Sequence, residues 1–200
     1  MTDAPKKPAG VTPSSTVGPY FKYGLTPGGA YPVRDAFSAT VATPDAQGER
    51  IRIKGHITDG DGKAIPDAML EIWQADSAGR YAHPRDTGAR ANTSFKGFGR
   101  TDTDAHGGFV FDTIKPGPVA GPGGKMQAPH ILVTVFARGM LRHLYTRIYF
   151  ADATANATDP VLALIPADRR DTLIAKRDPD GAYTFDIRIQ GGDETVFFDL

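Results

Sequence analysis

The 200-residue chain has no cysteine, which excludes both disulfide staples and thiolate metal ligation. It also lacks any block of like charge, since 23 Lys and Arg balance 23 Asp and Glu for a formal net charge of zero. Without a basic stripe, neither nucleic acid nor an anionic membrane surface is expected as a partner. A neutral chain does not repel its neighbours, so assembly with another subunit is compatible with the composition. Long apolar runs are missing too. ILVTVFA, Ile131 to Ala137, falls far short of the ~20 residues a membrane-spanning helix needs. The opening MTDAPKKPAGVTPSS has two lysines with no apolar segment behind them, unlike a secretory leader, so a cytoplasmic protein is expected.

Glycine (23) and proline (16) are abundant, aperiodic and placed between short apolar runs, the punctuation of strands and tight turns. Residues 1–50 show little periodicity, and Pro13, Pro19, Pro27 and Pro32 bias this arm toward extended geometry. Its rings Tyr20, Phe21, Tyr23 and Tyr31 are costly to leave in water, so the arm is expected to lie across another surface. Alternation starts at IRIKGHIT, with Ile51, Ile53 and Ile57 on one face. DGDGK (residues 59–63) reads as a hairpin turn and AMLEIWQA as its return strand. FVFDTI, HILVTVFA, HLYTRIYF, YTFDIRIQ and TVFFDL continue the series. One helix is expected in PADRRDTLIAKR, capped by Asp168, with Leu173 and Ile174 packed inward. The pattern predicts an all-β fold, an antiparallel β-sandwich or partly closed barrel over residues 51–200, with one short helix.

Two familiar loop signatures fail on inspection. DGDGK begins like a calcium loop, but Lys63 and Leu70 stand where carboxylates are needed. GPGGKM has Val119 in place of a phosphate loop's first glycine and Met126 in place of its hydroxyl. The histidines are His56, His83, His106, His130 and His143, and no two are spaced to share a strand face as metal ligands. Two residues after His130 comes Leu132, and two after His143 comes Tyr145. By spacing alone, His130 reads as a hydrogen-bonded strand histidine. Arg138, where ILVTVFA runs out, reads by itself as a surface arginine; held in place, its fork would grip a carboxylate through two parallel bonds. Trp73 reads as core, and Tyr81, after the SAGR turn, as a surface ring that can point into a cleft.

Taken together, GPYF, GHITDGDGKAIPDAMLEIWQADSAGRY, GFGRTDTDAHGGFVFDTIKPGPV, APHILVTVFARGM and YTFDIRIQGGDETVFFD resemble the intradiol ring-cleavage dioxygenases from about Thr12 to the C-terminus. The likeness is greatest to the alpha subunits of heteromeric members. It implies a non-haem Fe(III) cofactor held by two tyrosines and two histidines. Tyr81 matches the first tyrosine and His130 the first histidine, whereas Val119 and Leu132 stand at the other two places. The resemblance thus implies a vestigial site here, with no catalytic residue of its own, and an Fe(III) held by a homologous beta subunit of the same fold. The implied reaction cleaves 3,4-dihydroxybenzoate with O2 to a carboxy-muconate, in a higher hetero-oligomer of alpha–beta pairs. In that picture the arm (residues 1–50) packs on the partner and Thr16, Gly18, Pro19 and Tyr20 line its pocket, while Arg138 meets the substrate carboxylate. Two other readings stay open: a self-sufficient dioxygenase recruiting His143 or Tyr145, and a non-enzymatic transthyretin-like binding module.

Overall fold

The computed structural model describes residues 13–18, 21–26, 38–90 and 93–199. Strands dominate. They are β1 (Arg50–Thr58), β2 (Met69–Gln74), β3 (Phe98–Asp102), β4 (Gly108–Ile114), β5 (Val119–Ala120), β6 (Met126–Gln127), β7 (His130–Phe136), β8 (Leu144–Phe150), β9 (Ile174–Arg177), β10 (Tyr183–Thr184) and β11 (Ile187–Arg188). Among the described residues one α-helix, α1 (Phe21–Leu25), lies in the arm.

Two layers form. In one, β1 pairs with β4, β10 and β11; in the other, β3, β2, β7 and β8 run side by side. β9 joins them, pairing with β8 through Ile174 and Ala175 and with β10 through Lys176 and Arg177. Between the layers lie Ile53, Ile57, Leu70, Ile72, Phe111, Ile131, Val133, Val135, Ile148 and Phe150, all nearly or fully buried. Side chains alternate along a strand, so this core leaves Trp73 of β2, His130 and Leu132 of β7, and Arg147 and Tyr149 of β8 on the opposite face. Ala128, Tyr149, Leu162 and Leu173 form a second, smaller core over that face.

The sandwich agrees with the sequence reading, with three differences. DGDGK does close a tight turn, in which the Asp59 amide donates to the Lys63 carbonyl at 2.9 Å. Yet β2 does not return along β1. The chain crosses to the other layer, where the Thr103 hydroxyl donates to the Ile65 carbonyl at 2.7 Å and accepts from the Ala68 amide at 3.0 Å. Second, β1–β10, β1–β11 and β8–β9 are parallel. These strands follow long connections, and a crossover rather than a hairpin lets them enter in parallel. Third, the helix expected in PADRRDTLIAKR is a 3-10 helix, Ala167–Leu173. Pro166 stands at its N-cap without a side-chain bond, so Asp168 does not cap it; Leu173 is buried, but Ile174 already begins β9. No helix among the described residues is long and apolar enough to cross a membrane.

Candidate functional site

Two loops meet above the outer face of the β2–β7–β8 layer. The first, residues 76–81, folds around buried Asp76, whose Oδ1 accepts from the Ala78 and Arg80 amides at 2.9 and 3.0 Å. The second runs from Lys115 to Val119. Both the Gly79 and Gly117 amides donate to the Asp76 carbonyl at 2.9 Å, which stitches the loops together. Gly79 has a φ of +75°, and a Cβ there would sit 2.0 Å from the Pro118 carbonyl oxygen. Any larger residue would push the loops apart. The close approach brings Tyr81 and Val119 to the walls of one cleft of about 450 Å³, shared with Trp73, Arg80, His83 and Asp86.

The Tyr81 ring stacks on Trp73, with centroids 5.9 Å apart and planes 14° from parallel. Its amide donates to Asp86 at 2.8 Å, and Arg80 pairs with Asp86 at 2.7 Å. The Tyr81 amide is the main reason the Asp86 carboxyl is held below its ordinary range. Burial pushes the Tyr81 phenol above its ordinary value, with the charge of Arg147 acting in the opposite direction.

Trp73, Leu132 and Arg147 stand in register across three strands, so Leu132 lies between the indole and the guanidinium. One step along, His130 is paired with Tyr149, and their rings are 5.6 Å apart. His130 is buried, and its Nδ1 lies 2.8 Å from the Ala128 carbonyl, which places the neutral ring's proton on Nδ1. Burial, reinforced by the Arg147 charge, lowers its pKa from 6.5 to about 4. Burial raises the Tyr149 phenol to about 12.

Tyr81 and Val119 thus line the cleft with Trp73, and His130 and Leu132 share the face of β7 on which Leu132 is in register with Trp73. Among the described residues, no group of three or more His, Cys, Asp or Glu is placed to hold a metal. His143 and Tyr145 do not join these residues. They bind each other, Nε2 to hydroxyl, at 2.6 Å, and Tyr145 stands in register with Thr134.

The arm meets the sandwich at a second place. The Gly139 amide donates to Thr16 Oγ1 at 2.8 Å, bringing Thr16 to the turn that carries Arg138. Gly139 has a φ of +85°, which lets the chain reverse there. The half-exposed Arg138 guanidinium pairs through Nε with Asp67. Gly18 accepts from the Phe21 amide at the start of α1. Pro19 and Tyr20 lie outside the described residues.

A family model described as Dioxygenase matches residues 18–191. The chain belongs to the intradiol dioxygenase family. It is 52% identical over 197 residues to the protocatechuate 3,4-dioxygenase alpha chain of Burkholderia cepacia, covering 94% of this chain and 97% of the relative. It is also 34% identical over 171 residues to the beta chain from the same organism, covering 80% of this chain and 73% of that one. Among solved structures it resembles catechol 1,2-dioxygenase from Acinetobacter sp. ADP1, with a TM-score of 0.58 and 24% identity over 74% of this chain. That likeness concerns the fold, and the chain spans 55% of that structure's length. A family match over this much of the chain leaves no support for the non-enzymatic module.

The family implies a non-haem ferric ion, and the residues at the four positions named by the resemblance do not fit one. Ferric iron is hard and highly charged and needs anionic oxygen donors. Here Val119 and Leu132 present hydrocarbon, and Arg147 adds a fixed positive charge beside Leu132. The sequence reading did not single out Arg147, Tyr149, Gln127 or Asp159. One signal was available: in LYTRIYF, Tyr145, Arg147 and Tyr149 alternate with Thr146, Ile148 and Phe150 and so share the face of His130.

Proposed function

We propose that the chain is the alpha subunit of a heteromeric protocatechuate 3,4-dioxygenase. The enzyme opens 3,4-dihydroxybenzoate between its hydroxyl-bearing carbons, and both atoms of O2 enter the product, 3-carboxy-cis,cis-muconate. In this reading the Fe(III) belongs to a homologous beta subunit, and this chain completes the substrate pocket at the interface. The observation that carries it is the donor set at the vestigial positions: Val119 and Leu132 offer no lone pair, and Arg147 stands beside Leu132. The likeness to both an alpha and a beta chain supports a partner of the same fold.

What this chain supplies is shape and charge. The arm, residues 1–50, packs against the beta subunit, with Thr16, Gly18, Pro19 and Tyr20 along the pocket wall. Arg138 offers a guanidinium to the substrate carboxylate. Pairing with Asp67 restrains that guanidinium, and the next residue, Gly139, is bonded to Thr16. A pre-positioned cation selects the carboxylated catechol over plain catechol, and a closed interface keeps water from the reaction.

The test is reconstitution. The chain expressed alone is inactive in oxygen uptake with 3,4-dihydroxybenzoate, and co-expression with a beta chain gives a co-purifying, active complex. Full activity of this chain by itself contradicts the proposal.

A further inference from the structure

Three stretches of chain meet at one guanidinium, and a fourth joins them through Tyr149. From β8, Arg147 Nη1 donates to Gln127 Oε1 on β6 at 2.7 Å and to the Tyr149 hydroxyl at 3.2 Å. The Tyr149 hydroxyl in turn donates to Asp159 Oδ1 at 3.3 Å. Buried Asp159 anchors the connection after β8, accepting from the Ala128 amide at 2.7 Å and from the Val161 and Leu162 amides at 2.8 Å. On its other side the Arg147 guanidinium lies 5.6 Å from the centre of the Phe198 ring, in the segment after β11. A ligated metal ion ties chain segments to one positive centre in the same way.

The placement matters as much as the bonds. Arg147 is in register with Leu132, one of the two hydrocarbon positions, and its hydrogen-bond partner Tyr149 is in register with His130. A guanidinium does not give up its proton in a protein, so an arriving cation cannot relieve the repulsion by deprotonating it, as it could with histidine or lysine.

We propose that Arg147 is this chain's built-in replacement for the metal: it binds the surrounding segments together and bars a metal ion from the vestigial positions even when the missing donors are restored. The idea rests on reading Tyr81, Val119, His130 and Leu132 as the family's ligand positions, and extends that reading to a residue outside the set. It makes loss of the metal a matter of charge as well as of missing donors.

The test restores the donors with and without the arginine. The full-length Val119→Tyr, Leu132→His double variant and the same variant carrying Arg147→Gln are each loaded with ferrous iron and oxidised in air. Folding is checked by circular dichroism and a cooperative thermal transition. The double variant is expected to stay colourless and iron-free, whereas the triple variant gains stoichiometric iron and the visible absorption of a ferric tyrosinate. Arg147→Gln alone lowers Tm by several degrees without binding iron, because Gln127, Tyr149 and Phe198 lose their common partner. Iron uptake by the double variant overturns the proposal, and that result stands even if the triple variant fails to fold. A folded triple variant without iron overturns both the proposal and the assignment of the four positions. Partnership with a beta chain is read separately, by oxygen uptake of the complex, and survives either outcome.

Discussion

The Gly139 amide donates to the Thr16 hydroxyl at 2.8 Å and so ties the arm to the turn that carries Arg138. Residues far apart in sequence thereby become neighbours. Replacing Thr16 with valine keeps the shape and removes the acceptor, while the Gly139 amide can turn to water. The chain's own stability should change by less than about 1 kcal/mol, and KM for 3,4-dihydroxybenzoate in the complex should rise about 5-fold as the wall loosens. Thermal melts and steady-state kinetics on the same preparation separate the two effects.

Arg138→Ala tests the carboxylate grip. Loss of a charge-assisted contact predicts weaker binding of 3,4-dihydroxybenzoate by about 1–3 kcal/mol. Plain catechol has no carboxylate and should be nearly unaffected. Competition binding with the two ligands reads the difference directly, and equal losses on both would remove the assigned role.

Stability should depend on pH through His130. The buried ring titrates at about 4 in the folded chain, against an ordinary value of 6.5. Between these values the unfolded chain binds a proton that the folded chain refuses, so stability falls as pH drops through this window and levels off below it. The part assigned to His130 is about 3 kcal/mol between pH 7 and pH 3. Urea unfolding across that range should show the slope, and His130→Gln should flatten it.

Asp159 accepts three backbone amides and one phenol while almost wholly buried. Asp159→Ala orphans those donors and should cost about 3 kcal/mol or more. Denaturant unfolding measures the loss. Asp159→Asn keeps the acceptor oxygen at one position and should recover part of it.

The strands were legible where one face is buried and the other wet. Ile51, Ile53 and Ile57 alternate with Arg52, Lys54 and His56, and β1 follows that pattern. Pairing partners were not legible, because DGDGK makes the same tight turn whether the next strand returns or crosses to the other layer. The helix was misread because LIAKR carries apolar spacing that β9 uses as a strand. YTFDIRIQ alternates cleanly, yet it forms two short strands, since the Asp186 carboxylate leaves the ladder to accept from the His56 amide at 2.9 Å.

For the site, the resemblance pointed to Tyr81, Val119, His130 and Leu132, and the glycines at 79 and 117 explain how the loops that carry Tyr81 and Val119 approach. Arg147 was not legible in the same way. An arginine on an alternating strand looks like any solvent-facing residue until the register sets it opposite Leu132 and the fold lays Phe198 over it.

Metal analysis of this chain, purified alone with iron in the medium, decides where the iron resides. The expected result is a colourless protein without stoichiometric iron, turning into a coloured, iron-bearing complex only when a beta chain is present. A coloured homomer with one firmly bound ferric ion per chain would contradict it.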